Sequence, residues 1–344
     1  MTRVVCTIKS RARLAFLLIP TLAVGIAING GSAAQAVPNP SPGSVDTAKN
    51  ARMSPPSYVV AKASSDWVPT PGGLTYRTCV HEIPDGAMVS PDGVVTLNGV
   101  TVSKTPPCPY SGVVREPEEA DAQPGPASPA SAGIDVAEPP AMSSGWWLDS
   151  WWTSSAEIVS LSAVWTVPAK PAKNGALIYF FPSVEPADGS AIVQPVLQYG
   201  VSPAGGGNYW ALANWFVSSG DSYHGPLEIT APGHKIKGTM KRASGSDDRW
   251  EISFVDPLVS GPAKVSLATG FKSLRAVQGG VLEVYHISSC RQLPKASSVT
   301  FSSISVASTS GRVTPSFSKN KRVTSCSSSV TATRTTPKLG WRAS

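Results

Sequence analysis

From Trp146 onward, turn signals follow one another too closely for long helices to form between them. Pro168–Pro171, Asp188-Gly189, Gly205–Gly207, Ser219-Gly220-Asp221, Pro232-Gly233, Ser244–Asp247 and Gly279-Gly280 punctuate this stretch, all but the last separated from the one before by roughly 10–17 residues. No segment with helical periodicity exceeds about eight residues. The runs between turns alternate instead. Lys235, Lys237 and Lys241 interleave with Ile236 and Met240, and Trp250, Ile252 and Phe254 interleave with Glu251, Ser253 and Val255. Alternation of this kind describes strands with one dry face and one wet face. The pattern predicts an all-β domain over residues 146–344, an antiparallel sandwich of about ten strands or more.

The chain in front of this block is a different material. Lys9, Arg11 and Arg13 precede an apolar run from Leu14 to Ile28, and Ala34-Gln35-Ala36 has the small residues of a cleavage site. Residues 1–36 therefore read as a secretory signal, and the mature protein is expected to be secreted and extracellular. No other stretch approaches the ~18 apolar residues of a membrane span, so no membrane association is expected once the signal is removed. A stretch rich in Pro, Ser and Ala follows, to about Pro56. A compact block from about 57 to 112 contains Asn98-Gly99 between two apolar runs, a strong hairpin signal. This block reads as a small disulfide-closed β module. Residues 113–145 are rich in Pro, Ala and Glu and read as a linker.

Cysteine usage supports the exported reading. Cys6 lies in the signal, and Cys79, Cys108, Cys290 and Cys326 remain. Four cysteines allow three pairings, of which the local one, Cys79–Cys108 with Cys290–Cys326, keeps each bridge within one compositional block. Their spacing lacks the close-set ligands of a zinc site. His81-Glu82 is not followed by the second histidine of a His-Glu-x-x-His motif, and Asp247-Asp248 reads as a solvated turn. No metal and no cofactor is expected.

The formal charge of +7 is unevenly spread. Four basic residues leave with the signal, and 25 basic against 22 acidic residues remain, a net +3. Residues 37–145 hold 6 basic and 11 acidic side chains, whereas residues 146–344 hold 19 and 11. An acidic leader before a basic body suits an intramolecular prosegment docked by complementary fields. The basic residues are not interleaved with aromatics, so nucleic acid is not expected as a partner. The tail from Arg312 to Arg342 carries seven cations and no acid, a feature open to contact with an acidic polymer or to simple solvation.

Two strand-like runs carry polar residues where apolar ones are usual. In Val193–Gly200, Gln194, Val196 and Gln198 share a face; in Val281–Tyr285, Val281, Glu283 and Tyr285 share one. Burying an amide and a carboxylate in this way is costly without a purpose. Either amide can serve as the functional one, with Pro195 marking a bulge or an edge between them. Trp210 and Trp215, five residues apart, point to opposite faces, so at least one belongs to the core.

At this point the sequence resembles the glutamic peptidases, the eqolisins. Ala163–Pro168 resembles their early strand ending in Val-Pro, and Val196-Leu197-Gln198-Tyr199-Gly200 their Leu-Gln-x-Gly strand. Asn208-Tyr209-Trp210 through Phe216 is similar to their aromatic strand, and Ile229–Ile236 to their Gly-Asp-x-Ile turn, with His234 at the Asp position. Val281-Leu282-Glu283 resembles the strand ending in the catalytic Glu, and Val323-Thr324-Ser325-Cys326 the family's terminus. The resemblance implies a concanavalin-like β-sandwich and a secreted endopeptidase acting on polypeptide. It also implies catalytic Gln198 and Glu283, the carboxylate activating water and the amide stabilising the oxyanion. Tyr209, Trp210, Trp215, Glu185 and Asn214 are then expected to contact substrate. Glu185 stands where the family tends to have Asp, and Asn214 where it often has Glu. The alternative is a non-catalytic sandwich that binds glycan or a surface partner. A third reading, a glycoside hydrolase, requires a second acid such as Glu228 or Glu251 facing Glu283.

Overall fold

The computed structural model describes residues 66–110, 142, 144–256 and 263–344. The expected signal, the Pro/Ser/Ala-rich stretch and almost all of the linker lie outside these residues. The described residues form strands, turns and three one-turn 3-10 helices, with no α-helix among them.

The strands begin with a hairpin, β1 (Trp67–Thr70) and β2 (Gly73–Tyr76), and continue with β3 (Val80–Glu82), β4 (Met88–Val89), β5 (Val94–Leu97) and β6 (Val100–Lys104). After the linker come β7 (Gly145–Thr153), β8 (Ile158–Thr166), β9 (Leu177–Glu185), β10 (Ala191–Ser202) and β11 (Gly205–Ser218). Shorter strands follow: β12 (Ser222–His224), β13 (Glu228–Thr230), β14 (Lys235–Arg242), β15 (Arg249–Val255) and β16 (Ala263–Ala268). The chain closes with β17 (Ala276–Tyr285), β18 (Ser298–Thr300), β19 (Ser302–Ser308), β20 (Gly311–Val313), β21 (Ser318–Lys321), β22 (Ser329–Ala332) and β23 (Pro337–Gly340).

Two nine-stranded sheets make the body. The first runs β21-β7-β17-β9-β10-β11-β12-β3, with β13 also paired to β11; the second runs β20-β19-β8-β14-β15-β16-β4-β5-β6. The second sheet has the alternation expected from its sequence: Ile236 and Met240 are buried while Lys235, Lys237 and Lys241 are exposed. One large apolar cluster fills the space between the sheets, with Trp147, Trp165, Trp210, Trp250, Phe180 and Phe301 among its members.

The central strands of the first sheet are buried on both faces. Every residue of β9 is buried, and so are the first ten of β10. One face packs on the inter-sheet core. The other joins Trp67 and Leu74 of the β1–β2 hairpin in a second apolar cluster with Tyr179, Phe181, Val196, Trp215 and Tyr285. Burying side chains of this size stabilises by about 1.5–3 kcal/mol each, which explains why these strands read as nearly continuous apolar runs.

The N-terminal block does not stand apart as a separate module. β3 pairs in parallel with β12 of the first sheet, and β4 pairs in parallel with β16 of the second. Ile83, Ala87, Val89 and Val95 enter the inter-sheet core. The segment is fastened by backbone ladders and apolar packing. The Asn98-Gly99 turn between β5 and β6 has both residues at positive φ, 53° and 80°, as a two-residue hairpin requires. Both bridges form in the local pairing, Cys79–Cys108 and Cys290–Cys326. Pro195 marks neither an edge nor a bulge: β10 is an interior strand, and its register shift lies at Tyr199/Gly200. The β9–β10 ladder instead lapses between Val193 and Leu197, where Pro182 and Pro195 both lack an N–H to donate.

Candidate functional site

The site lies on the outer face of the first sheet, beneath the hairpin. Glu283 on β17 and Gln198 on β10 both register with Tyr179 of the intervening β9. They therefore stand at one level, two strands and about 10 Å apart. Gln194 lies four residues along β10 from Gln198, on the same face. All three side chains are buried.

The partners of the two amides differ. The Gln198 amide turns to the β10–β11 connection, where Nε2 donates to the carbonyls of Gly200 and Gly205 at 2.9 and 2.8 Å and Oε1 accepts from the Ser202 hydroxyl at 2.8 Å. Gln194 Nε2 instead donates to the Pro71 carbonyl at the tip of the hairpin. The N–H of the same Pro71–Gly72 peptide unit donates to Glu283 Oε2 at 2.8 Å. One planar amide is thus held at its oxygen by Gln194 and at its nitrogen by Glu283.

Two phenols complete the grip. The Tyr285 hydroxyl donates to Glu283 Oε1 at 2.6 Å and lies 3.5 Å from the Thr70 carbonyl. The Tyr179 hydroxyl donates to the Pro69 carbonyl at 3.0 Å. Burial, and after it the charge of Glu283, holds the Tyr179 phenol well above the usual tyrosine range, so at neutral pH it is a protonated donor.

The other residues expected in the site divide between the two faces. Trp215 belongs to the apolar cluster beneath the hairpin, and Tyr209 lies half-buried where β11 slips its register against β10. Glu185 lies on the same face as Tyr179, with Ser183 Oγ donating to its Oε1 at 2.9 Å. Trp210 and Asn214 project the other way. Trp210 is a member of the inter-sheet core, and Asn214 Nδ2 donates across it to the Ala263 carbonyl at 3.0 Å. Alternation along β11 keeps both from the outer face, so they do not join Gln198 and Glu283.

Neither proposed second acid faces Glu283. Glu251 is on the second sheet, paired with Lys264 at 3.0 Å. Glu228 sits opposite Leu212, whose side chain joins the inter-sheet core. Among the described residues no group of His, Cys, Asp or Glu has the arrangement of a metal site, and no helix is long and apolar enough to cross a membrane.

The hairpin is the part of this candidate site that the sequence did not indicate. Its available signal was Pro71-Gly72-Gly73 between two short apolar runs, Trp67-Val68 and Leu74. Nothing local to it indicates which face it covers.

No protein-family model matches the chain, and no curated protein matches it. Solved structures similar to it include scytalido-glutamic peptidase with a peptide-based transition state analog, at 13% identity and a TM-score of 0.43, over 58% of this chain and 98% of that one. The same peptidase with a transition state analog inhibitor gives 12% and 0.44 over the same shares. SCP-B, a member of the eqolisin family in complex with the tripeptide Ala-Ile-His, gives 13% and 0.40, again over 58% and 98%. At these values the likeness transfers no residue's role to this chain.

Proposed function

We propose that this protein is a secreted peptidase-like hydrolase that cleaves peptide bonds with a water activated by Glu283. The observation that carries the reading is the grip on Pro71–Gly72: an amide donor on the carbonyl oxygen and a carboxylate at the nitrogen of one peptide bond. Hydrolysis of such a bond needs these two groups. A donor at the carbonyl oxygen stabilises the oxyanion, and losing one costs about 10²–10³ in rate. A carboxylate at the nitrogen side takes a proton from the attacking water and returns it to the leaving amine. In this proposal the donor role passes to Gln194, and Gln198 organises the turn beside it. Tyr285 positions Glu283 through its other oxygen. Glu185 and Trp215, on the same face, are available to more distant parts of a polypeptide. No cofactor takes part.

The test is hydrolysis of a denatured protein by the purified mature chain between pH 2 and 7, beside Glu283→Gln, Gln194→Ala and Gln198→Ala. Loss of turnover in Glu283→Gln and a fall of about 10²-fold or more in Gln194→Ala are expected. Full activity in both would sink the mechanism.

A further inference from the structure

We propose that the β1–β2 hairpin is a retained plug, an intramolecular inhibitor that lifts from the site locally while the rest of the N-terminal segment stays in the fold. This rests on the peptidase reading of the same site.

The hairpin occupies the site as an inhibitor and not as a substrate. Gly72 and Gly73 sit at φ of 119° and 140°, backbone that L side chains rarely adopt. The chain therefore turns back out of the site where a substrate would run on. A Cβ at Gly72 would meet Ile192 Cγ2 at 3.0 Å. The Gly72 N–H also sits directly on Glu283 Oε2, taking the lone pair that an attacking water needs.

Attachment divides sharply at the turn Arg77–Cys79. Before it, β1 and β2 pair only with each other among the described strands. The hairpin is held by Trp67 and Leu74, by the Pro69, Pro71 and Gly72 contacts, and by a ring clasp in which Tyr76 meets Trp67 at 5.5 Å and Tyr110 at 3.8 Å. After it, Cys79 is bridged to Cys108, β3 and β4 extend both large sheets, and Ile83, Ala87, Val89 and Val95 lie in the core. Segments with few backbone ladders open first, and segments sharing the core open with global unfolding. Both cysteines of the first bridge lie before the linker, so cutting the linker breaks none of these attachments.

The experiment uses the full mature chain in three forms: intact, nicked at a specific protease site introduced in the linker, and carrying Gly72→Val. A Trp67→Ser/Tyr76→Ser chain serves as a second way to release the hairpin. Size exclusion, amide hydrogen exchange and turnover of a denatured protein are measured on each. The nicked pieces should co-elute, with turnover within about twofold of the intact chain. Gly72→Val should exchange the amides of residues 67–76 at least about tenfold faster while Val80–Leu97 stay protected. Its turnover should rise by about tenfold or more as the competent fraction grows, and a synthetic peptide of residues 67–76 should suppress it again. Dissociation of the nicked N-terminal piece with a matching rise in turnover would overturn the proposal in favour of a removable prosegment. A released hairpin with turnover equal to that of an active intact chain would overturn it too. Absence of hydrolysis in every form, hairpin demonstrably open, would instead defeat the peptidase reading on which it rests.

Discussion

At the scale of single residues, Gln194 and Gln198 are interchangeable by sequence pattern and different in the fold. Both have the phase of the outer face. What separates them is the Pro71 carbonyl, contributed from more than a hundred residues earlier, and the hydroxyl of Ser202, contributed by a turn. Periodicity reads faces, so it placed Trp210 and Trp215 on opposite sides and both amides on one, but it cannot read what arrives from a distant segment. The two amides therefore predict different losses. Gln198→Ala removes the amide from the Gly200 and Gly205 carbonyls and the Ser202 hydroxyl and should cost roughly 1–3 kcal/mol in a denaturant titration. Gln194→Ala should cost less stability and more turnover. His224 sets an acid limit. It is buried against Trp215 at 4.8 Å, and Nδ1 donates to the Gly225 carbonyl at 2.9 Å. Burial, partly offset by that carbonyl, holds the imidazole below its usual range. The unfolded chain, with its histidine near the ordinary value of about 6.5, then binds the proton more readily. The contribution of neutral His224 is complete above about pH 6.5 and is lost as pH falls towards the folded value. Melting curves of His224→Gln should accordingly fall less steeply than wild type between pH 7 and 4.

At the scale of elements, short-range signals were legible and long-range pairings were not. The Asn98-Gly99 hairpin, the alternation of β14 and β15, and the local disulfides follow from residues close together in the chain. The parallel additions of β3 and β4 do not, because each joins a partner well over a hundred residues away and neither strand exceeds three residues. A block that looks self-contained in composition is thereby part of the sandwich. Its bridge should matter accordingly. Closing the 29-residue separation of Cys79 and Cys108 is worth about 3.5 kcal/mol in the chain-entropy model. Replacing both by serine should lower stability by about that amount and speed amide exchange in β3 and β4. On the opposite edge of the first sheet, Arg322 Nε donates at 3.0 Å to Asp149 Oδ1 of β7, whose side chain is 1% exposed. Arg322→Met removes this bond from a buried carboxylate and should cost roughly 3 kcal/mol, measured by the same titration.

At the scale of the molecule, a sheet whose central strands are buried on both faces is the central fact. One face needs the second sheet to make a stable core. The other is covered over its central strands by ten residues of the chain's own N-terminal segment, and two polar groups on that face, Gln194 and Glu283, meet one peptide bond of the covering hairpin. In the proposed function hydrolysis depends on Glu283, and the hairpin is the element that withholds it. The most direct test is the turnover of a denatured protein by the Gly72→Val chain with and without Glu283→Gln. The second substitution is expected to lower the released chain's rate by about 10³-fold or more, with the melting temperature little changed. A doubly substituted chain that still hydrolyses protein at the rate of Gly72→Val would contradict it.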